Sequence, residues 1–122
     1  MKKFARVKYI RRTETKGIML FNTPEEMSGD DYGNQQLRKG WLSIGYNYLL
    51  HTDGTLEEGM GYGYVSDPDL RGWNDHVTIL VMGLKKTDPL NDAQVKTLMT
   101  FATKHKLTIA NCDYHMTIKE QE

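Results

Sequence analysis

The pattern of apolar and polar side chains predicts a chain built mainly from strands. Residues 5–10 alternate apolar and polar side chains, as expected for an edge strand with one face in water. Gly17–Asn22 and Val77–Gly83 are continuous apolar runs, which are typical of strands buried on both faces. The full set of predicted strands is Ala5–Ile10, Gly17–Asn22, Gly45–Thr52, Thr55–Gly59, Val77–Gly83 and Leu107–Ala110.

A hairpin is predicted where the third and fourth of these strands meet. Asp53 and Gly54 separate the two strands, and both residue types tolerate the positive φ angles of a two-residue turn. Aromatic residues recur at every second position before the turn. We therefore expect Tyr46 and Tyr48 to lie on the same face of the hairpin.

A helix is predicted at Asp92–Lys106, near the carboxyl end of the chain. Asn91 precedes it and has the side chain of a capping residue. Apolar residues recur at intervals of three and four, which indicates one buried helix face. The residues of this face are Val95, Leu98, Met99 and Ala102.

Two shorter helices are predicted between the second and third strands. Thr23 and Pro24 have the capping hydroxyl and first-turn proline of a helix start, and Ser28–Asp31 would end that helix within about two turns. A second short helix is predicted at Asp31–Lys39. Strands interleaved with helices predict an α/β fold, a single domain in which helices flank a mixed central β-sheet.

Composition narrows the classes of function. The chain has 122 residues, and its sixteen basic residues balance its sixteen acidic ones. This balance argues against binding to nucleic acid through many phosphates. Cys112 is the single cysteine, so an intramolecular disulfide is excluded. Because cations interrupt the apolar residues near Met1, we expect neither export nor a membrane span, but a cytoplasmic protein.

The hairpin region also carries a family resemblance. Gly40-Trp41, then Gly45-Tyr46 and an aromatic-aliphatic strand ending in Asp-Gly-Thr, resembles the short phage lysozymes that are zinc N-acetylmuramoyl-L-alanine amidases. These enzymes share the fold of peptidoglycan-recognition proteins. The likeness extends from about residue 6 to residue 113. It implies one amidase-like domain over residues 1–122, with a polar tail from about residue 114, in a phage protein acting in the cytoplasm of an infected bacterium.

The resemblance also identifies the positions of the expected zinc ligands. In such amidases two histidines and a downstream cysteine hold the ion, and one position stays open for water. The first histidine position corresponds to Phe21, or to Asn22 after a one-residue slip, and the second corresponds to Asn111. The third falls near Lys119. Since none of these is a usual zinc ligand, we expect no zinc and no other cofactor.

Two other sets of side chains suggest a metal site or a catalytic triad. Cys112 and His115 could bind a metal weakly, although a buried thiol beside a surface imidazole is the more frequent arrangement. Ser43, His51 and Asp53 suggest a catalytic triad by composition. Their positions within one hairpin, with alternating side-chain directions and no nucleophile elbow, argue against that role.

The resemblance further implies a substrate groove. Tyr46 matches a tyrosine beside the scissile amide in the family, and Trp73 and Asn74 match a stretch that lines the groove. Tyr46 could instead be a strand aromatic that packs on Trp41, and the Gly-Tyr loop around Tyr62 could be a plain connection. The candidate ligand-binding residues are Phe21, Tyr46, Tyr62, Trp73, Asn74 and Asn111.

Two classes of function follow from this resemblance. The first is a non-catalytic, zinc-less homologue of a phage amidase that acts as a binding or inhibitory protein. Its partner would be a host or phage protein, or a small molecule in the vacated groove, with the oligomeric state left open. The alternative is a residual peptidoglycan amidase with an atypical metal site.

Overall fold

The computed structural model describes residues 11–38, 45–64, 75–85 and 88–111, without the side chains of Leu37 and Asn111. Several sequence-based predictions therefore fall outside the described residues. These are the strand Ala5–Ile10, the polar tail, and the proposed roles of Trp41, Ser43, Trp73, Asn74, Cys112, His115 and Lys119.

A five-stranded mixed sheet forms the centre of the described part of the chain, which confirms the predicted fold class. Its strands are β1 Gly17–Thr23, β2 Tyr48–Leu50, β3 Leu56–Glu58, β4 His76–Met82 and β5 Ile109–Asn111. The spatial order is β3-β2-β4-β1-β5. Only β3 runs antiparallel to its neighbour β2, whereas the other adjacent pairs are parallel.

The two longest strands lie side by side within the sheet. β1 and β4 pair in parallel from Gly17 and His76 to Thr23 and Met82. Most of their side chains are buried, as predicted from their continuous apolar runs. The carboxyl ends of β1 and β4 therefore lie next to each other at one edge of the sheet.

The hairpin is shorter than predicted, and its turn is different. β2 and β3 have three residues each. The amide of His51 donates to the carbonyl oxygen of Thr55 at 2.9 Å, and the amide of Gly54 donates back to His51 at 2.9 Å. Three residues thus form the turn, and Gly54 has a φ of 91° whereas Asp53 is not in the positive-φ region. This geometry is the common three-residue loop, so the two-residue prediction is wrong.

The first predicted short helix is absent, and the second begins earlier than predicted, since α1 spans Gly29–Arg38. Ser28, expected to end a helix, instead caps this one, because its hydroxyl oxygen accepts the amide of Asp31 at 3.1 Å. The predicted helix start at Thr23 is instead the last residue of β1, and residues 24–28 form neither helix nor strand. The Glu25 carbonyl accepts the amide of Gly83 at 3.2 Å.

The long helix α2 spans Asp92–His105 and begins with the predicted cap. Asn91 and Gln94 form a reciprocal capping box, in which each side chain accepts the backbone N–H of the other residue. Met99, predicted for the buried face, is 36% exposed, and Phe101 is buried instead. Phe101 follows Leu98 by three residues and shares its face, whereas Met99 is rotated by about 100° from it.

The sheet separates two hydrophobic clusters. The α2 cluster lies on the face covered by α2 and includes Ile18, Leu20, Leu50, Ile79, Leu98 and Phe101. The second, here called the Tyr46 cluster, has Leu49, Leu80 and Met82 buried at its base, with Phe21, Met27, Tyr32 and Tyr46 packed against them. Neighbouring strand residues alternate between the two clusters, so these clusters lie on opposite faces of the sheet.

Candidate functional site

The Tyr46 cluster contains the two candidate residues that the structure brings together. The ring centroids of Phe21 and Tyr46 lie 5.4 Å apart with an interplanar angle of 56°. Both side chains are half-buried. The separation is within the usual range for an aromatic pair. Two partly accessible aromatic rings therefore cover a fully apolar base at the carboxyl end of β1.

Tyr46 lies on the sheet face opposite α2 because it precedes β2 and is not part of that strand. Gly45, just before it, has a φ of 89°, which redirects the backbone before pairing begins at Tyr48. Tyr46 thus belongs to the Tyr46 cluster, whereas Tyr48 packs in the α2 cluster. The prediction that these two tyrosines share a face is wrong, because the backbone bends at Tyr46 and Asn47 and regular strand alternation begins only at Tyr48.

The backbone of Tyr46 is held by the chain that returns from β3. Its carbonyl oxygen accepts the amide of Met60 at 2.9 Å. A Cβ atom at Gly59 would lie 2.5 Å from the same oxygen, so only glycine permits this close approach. The position of the Tyr46 ring is therefore set by the sheet and not by a loose loop.

Asn47 is a buried polar residue that fixes the loop beside the site. Its side-chain amide donates to the carbonyl oxygens of Gly61 and Tyr64, both at 2.8 Å. Its side-chain oxygen accepts the amide of Thr78 at 2.8 Å. Asn47 is 0% exposed. Sequence reasoning missed this role, and the only signal was an amide side chain between apolar strand residues.

Tyr62 lies on the opposite side of the sheet from Phe21 and Tyr46. Its ring stacks on His105, with centroids 4.4 Å apart and an interplanar angle of 20°, and it packs against the α2 cluster. Arg12 donates hydrogen bonds to the carbonyl oxygens of Tyr62 and Tyr64 and so anchors the Gly-Tyr loop. The structure therefore does not bring Tyr62 into the site formed by Phe21 and Tyr46.

Zinc, which the resemblance implies, does not fit the two described side chains at the first ligand position. Phe21 has no donor atom, and its ring packs on Tyr46. The Asn22 amide nitrogen donates to the carbonyl oxygen of Leu84 at 2.8 Å, while its side-chain oxygen is buried without a hydrogen-bond partner. Asn111 lies in β5, beside Leu20 of β1. Within the described ranges, no group of three or more His, Cys, Asp or Glu residues could hold a metal ion.

His51 is held between two glutamates at the end of β2. Its Nδ1 atom lies 2.5 Å from a carboxylate oxygen of Glu26, and its Nε2 atom lies 2.8 Å from one of Glu57. Asp53 instead accepts the amide of Thr55 at 2.9 Å. Both ring nitrogens of His51 face glutamates, so the geometry agrees with the rejection of a Ser43-His51-Asp53 triad.

Two groups beside these sites have shifted pKa values. Burial, followed by the negative charge of Glu25, raises the pKa of Tyr32 to about 12, so this phenol in the Tyr46 cluster stays protonated. Burial, followed by the charge of Lys104, lowers the pKa of His105. The lowered pKa favours the neutral ring, which stacks on Tyr62.

The described part of the chain contains no helix with the length and apolar character needed to span a bilayer. No protein-family model matches the sequence. No curated protein matches it either.

Solved structures do match the fold. The N-acetylmuramoyl-L-alanine amidase LysC from Clostridium intestinale has a TM-score of 0.72 at 18% identity, covering 91% of this chain and 78% of its own. A PGRP-LE structure in complex with tracheal cytotoxin has a TM-score of 0.73 at 18% identity, covering 95% of this chain and 79% of that one.

The PGRP-Hd from Alvinella pompejana has a TM-score of 0.70 at 18% identity, covering 92% of this chain and 81% of its own. All three match over most of both chains. At this level of identity the likeness defines architecture, and it agrees with the mixed sheet and the two flanking helices. The chain has the fold of N-acetylmuramoyl-L-alanine amidases and peptidoglycan-recognition proteins.

Proposed function

We propose that this protein is a non-catalytic, zinc-less homologue of a phage amidase, and that it binds a partner or small ligand at the Tyr46 cluster. The observation that carries the proposal is the Phe21–Tyr46 ring pair, 5.4 Å apart. The resemblance assigns Phe21 to the position of the first zinc ligand. An aromatic ring there replaces a metal-binding group with an apolar surface. Inhibition of a host or phage protein would be one use of such a surface.

The chemistry of the cluster favours an apolar or aromatic group as the bound element. Its base consists of Leu49, Leu80 and Met82, which are 0%, 2% and 0% exposed. The half-buried rings of Phe21 and Tyr46 pack against this base, so the cluster joins a buried apolar base to partly exposed aromatic side chains. Sites of this kind, apolar with a few polar groups, are typical of ligand pockets and of the centres of protein interfaces.

The alternative is a residual peptidoglycan amidase with an atypical metal site, because a structure named as an amidase shares the fold over 91% of this chain. Amide hydrolysis in such enzymes depends on a Lewis acid and an activated water. The first ligand position offers no histidine, and the unpartnered side-chain oxygen of Asn22 is a single neutral amide oxygen, which is not a usual zinc ligand. We therefore favour binding over catalysis.

Native mass spectrometry of the protein purified from bacteria would separate these functions, combined with metal analysis of the same sample. We expect a substoichiometric metal content and a bound metabolite or protein. A parallel incubation with zinc and peptidoglycan fragments should release no peptide. Stoichiometric zinc together with cleavage of the fragments would contradict the proposal and support the amidase.

A further inference from the structure

We propose that Glu26, His51 and Glu57 form a pH-sensitive latch that holds residues 24–28 against the hairpin. Glu26 lies in this segment between β1 and α1, His51 follows β2, and Glu57 belongs to β3. The imidazole lies between the two carboxylates, 2.5 Å from Glu26 and 2.8 Å from Glu57. The His51 side chain thus joins the hairpin to a segment that lies 25 positions before it in the sequence.

The geometry of the ring specifies the charged form of His51. A neutral imidazole has one N–H donor and one lone pair, whereas the imidazolium ion has two donors. Because both ring nitrogens of His51 face carboxylate oxygens, a neutral ring would direct a lone pair at one of them. Only the protonated ring satisfies Glu26 and Glu57 together.

The same two glutamates also hold backbone groups. The second carboxylate oxygen of Glu26 accepts the amide of Thr52 at 2.8 Å. Glu57 accepts the amide of Gly29, the first residue of α1, at 3.0 Å. A Cβ atom at Gly29 would lie 2.3 Å from the Glu57 carboxylate, so the backbone of Gly29 and this carboxylate are in close contact. Loss of the His51 proton would therefore weaken contacts at both ends of the latch.

The negative charges around His51 also favour its protonated form. Burial would by itself lower the pKa of His51, but the hydrogen bonds and negative charges of Glu26 and Glu57 raise it above the ordinary value. On the turn, hydrogen bonds from Thr55 lower the pKa of Asp53, and the charge of His51 adds a smaller effect in the same direction. From α2, Gln94 approaches with an uncharged amide, whose nitrogen lies 3.4 Å from the His51 carbonyl oxygen.

Because the pKa of His51 is raised in the folded state, the stability of the latch falls as the pH rises. The latch is complete below the unfolded pKa of about 6.5, and it is lost as the pH rises through the higher folded-state pKa. Residues 24–28 also include Met27, which packs in the Tyr46 cluster. An effect on ligand binding rests on the function proposed above, whereas the latch itself does not.

The test uses the intact protein without ligand, so its result is independent of that function. NMR titration of the His51 ring should give a midpoint above about 6.5. The amides of Thr52 and Gly29 should lose protection from hydrogen exchange over the same pH range, by about tenfold or more after correction for base catalysis. Glu26→Gln, which keeps the shape but removes one charge, should lower the His51 midpoint.

His105→Gln is the matched control, because His105 stacks on Tyr62 in the α2 cluster. It should leave the His51 midpoint and the protection of Thr52 unchanged. The titration of the parent protein needs no variant, so the proposal stays testable even where Glu26→Gln disturbs folding. A His51 midpoint below about 6.5, or constant protection of Thr52 through its titration, would overturn the latch.

Discussion

The ring of Phe21 contacts that of Tyr46 at a centroid distance of 5.4 Å, and both cover an apolar base on the sheet face opposite α2. In a zinc amidase of this fold the residue at the Phe21 position would be a histidine directed at the metal. Here the two aromatic rings stabilise each other instead. Under the function that we propose, this pair forms a binding surface in place of a metal ligand.

The buried amide of Asn47 should contribute strongly to stability. Replacement by alanine would remove the hydrogen bonds of the Asn47 side chain to the amide of Thr78 and to the carbonyl oxygens of Gly61 and Tyr64, of which the last keeps its bond from Arg12. We expect Asn47→Ala to lower the free energy of unfolding by about 3 kcal/mol, measured by urea denaturation.

A capping residue provides the comparison for this change. Asn91→Ala removes the cap of α2, and it should cost only about 1 kcal/mol. If Asn47→Ala cost no more than Asn91→Ala, the buried hydrogen bonds of Asn47 would not have the importance that we assign to them.

Gly83 should be sensitive to a single added methyl group. Its φ is 71°, a conformation that side chains rarely adopt, and a Cβ atom there would lie 2.2 Å from the Cγ2 atom of Thr52. We expect Gly83→Ala to lower the free energy of unfolding by about 2–3 kcal/mol, from backbone strain and from the clash together. Urea denaturation of the variant measures this loss.

A double-mutant cycle separates the two causes. Thr52→Ser removes the Cγ2 atom from an exposed residue and should have little effect alone. In the double variant it should recover about 1 kcal/mol of the Gly83→Ala loss. Strictly additive effects would show that the methyl group does not meet Thr52, and the close approach would then be absent in solution.

A chelator should leave the thermal stability unchanged. Phe21 cannot ligate zinc, and the amide nitrogen of Asn22 is hydrogen-bonded to Leu84. A metal bound to the folded state would stabilise it by mass action, so its removal would lower the Tm. Differential scanning calorimetry with and without EDTA checks this. A lower Tm that zinc restores would contradict the absence of a zinc site.

Local patterns predicted the elements whose structure depends on burial alone. The apolar runs of Gly17–Asn22 and Val77–Gly83 correspond to the paired strands β1 and β4, and Asn91 caps α2 as expected. Most of Asp92–Lys106 is helical because its apolar residues fit one face. The amidase-like fold, implied by the motif around Tyr46, is also confirmed.

The candidate site was less predictable, because its geometry depends on bends and distant contacts. A bend at Tyr46 and Asn47 places Tyr46 on the face opposite Tyr48, which periodicity cannot show. His51 meets Glu57 within the hairpin, but it meets Glu26 across 25 positions, and this contact depends on the path of residues 24–28. Sequence spacing contains no signal for a contact of this kind.

Equilibrium binding tests the central claim most directly, with the ligand or protein that copurifies with the chain as titrant. Phe21→Ala and Tyr46→Ala should each weaken binding at least about tenfold, since truncation of an aromatic anchor typically costs about 2 kcal/mol or more. Tyr62→Ala is the matched control, because Tyr62 packs on the opposite face of the sheet. Its affinity should equal that of the parent.

Circular dichroism should first show that all three variants are folded. Isothermal titration calorimetry then gives the dissociation constants under one set of conditions. The account predicts a loss of affinity in Phe21→Ala and Tyr46→Ala, with none in Tyr62→Ala. Folded Phe21→Ala and Tyr46→Ala variants that bind as tightly as the parent would contradict it, because the contact surface would then lie outside the Tyr46 cluster.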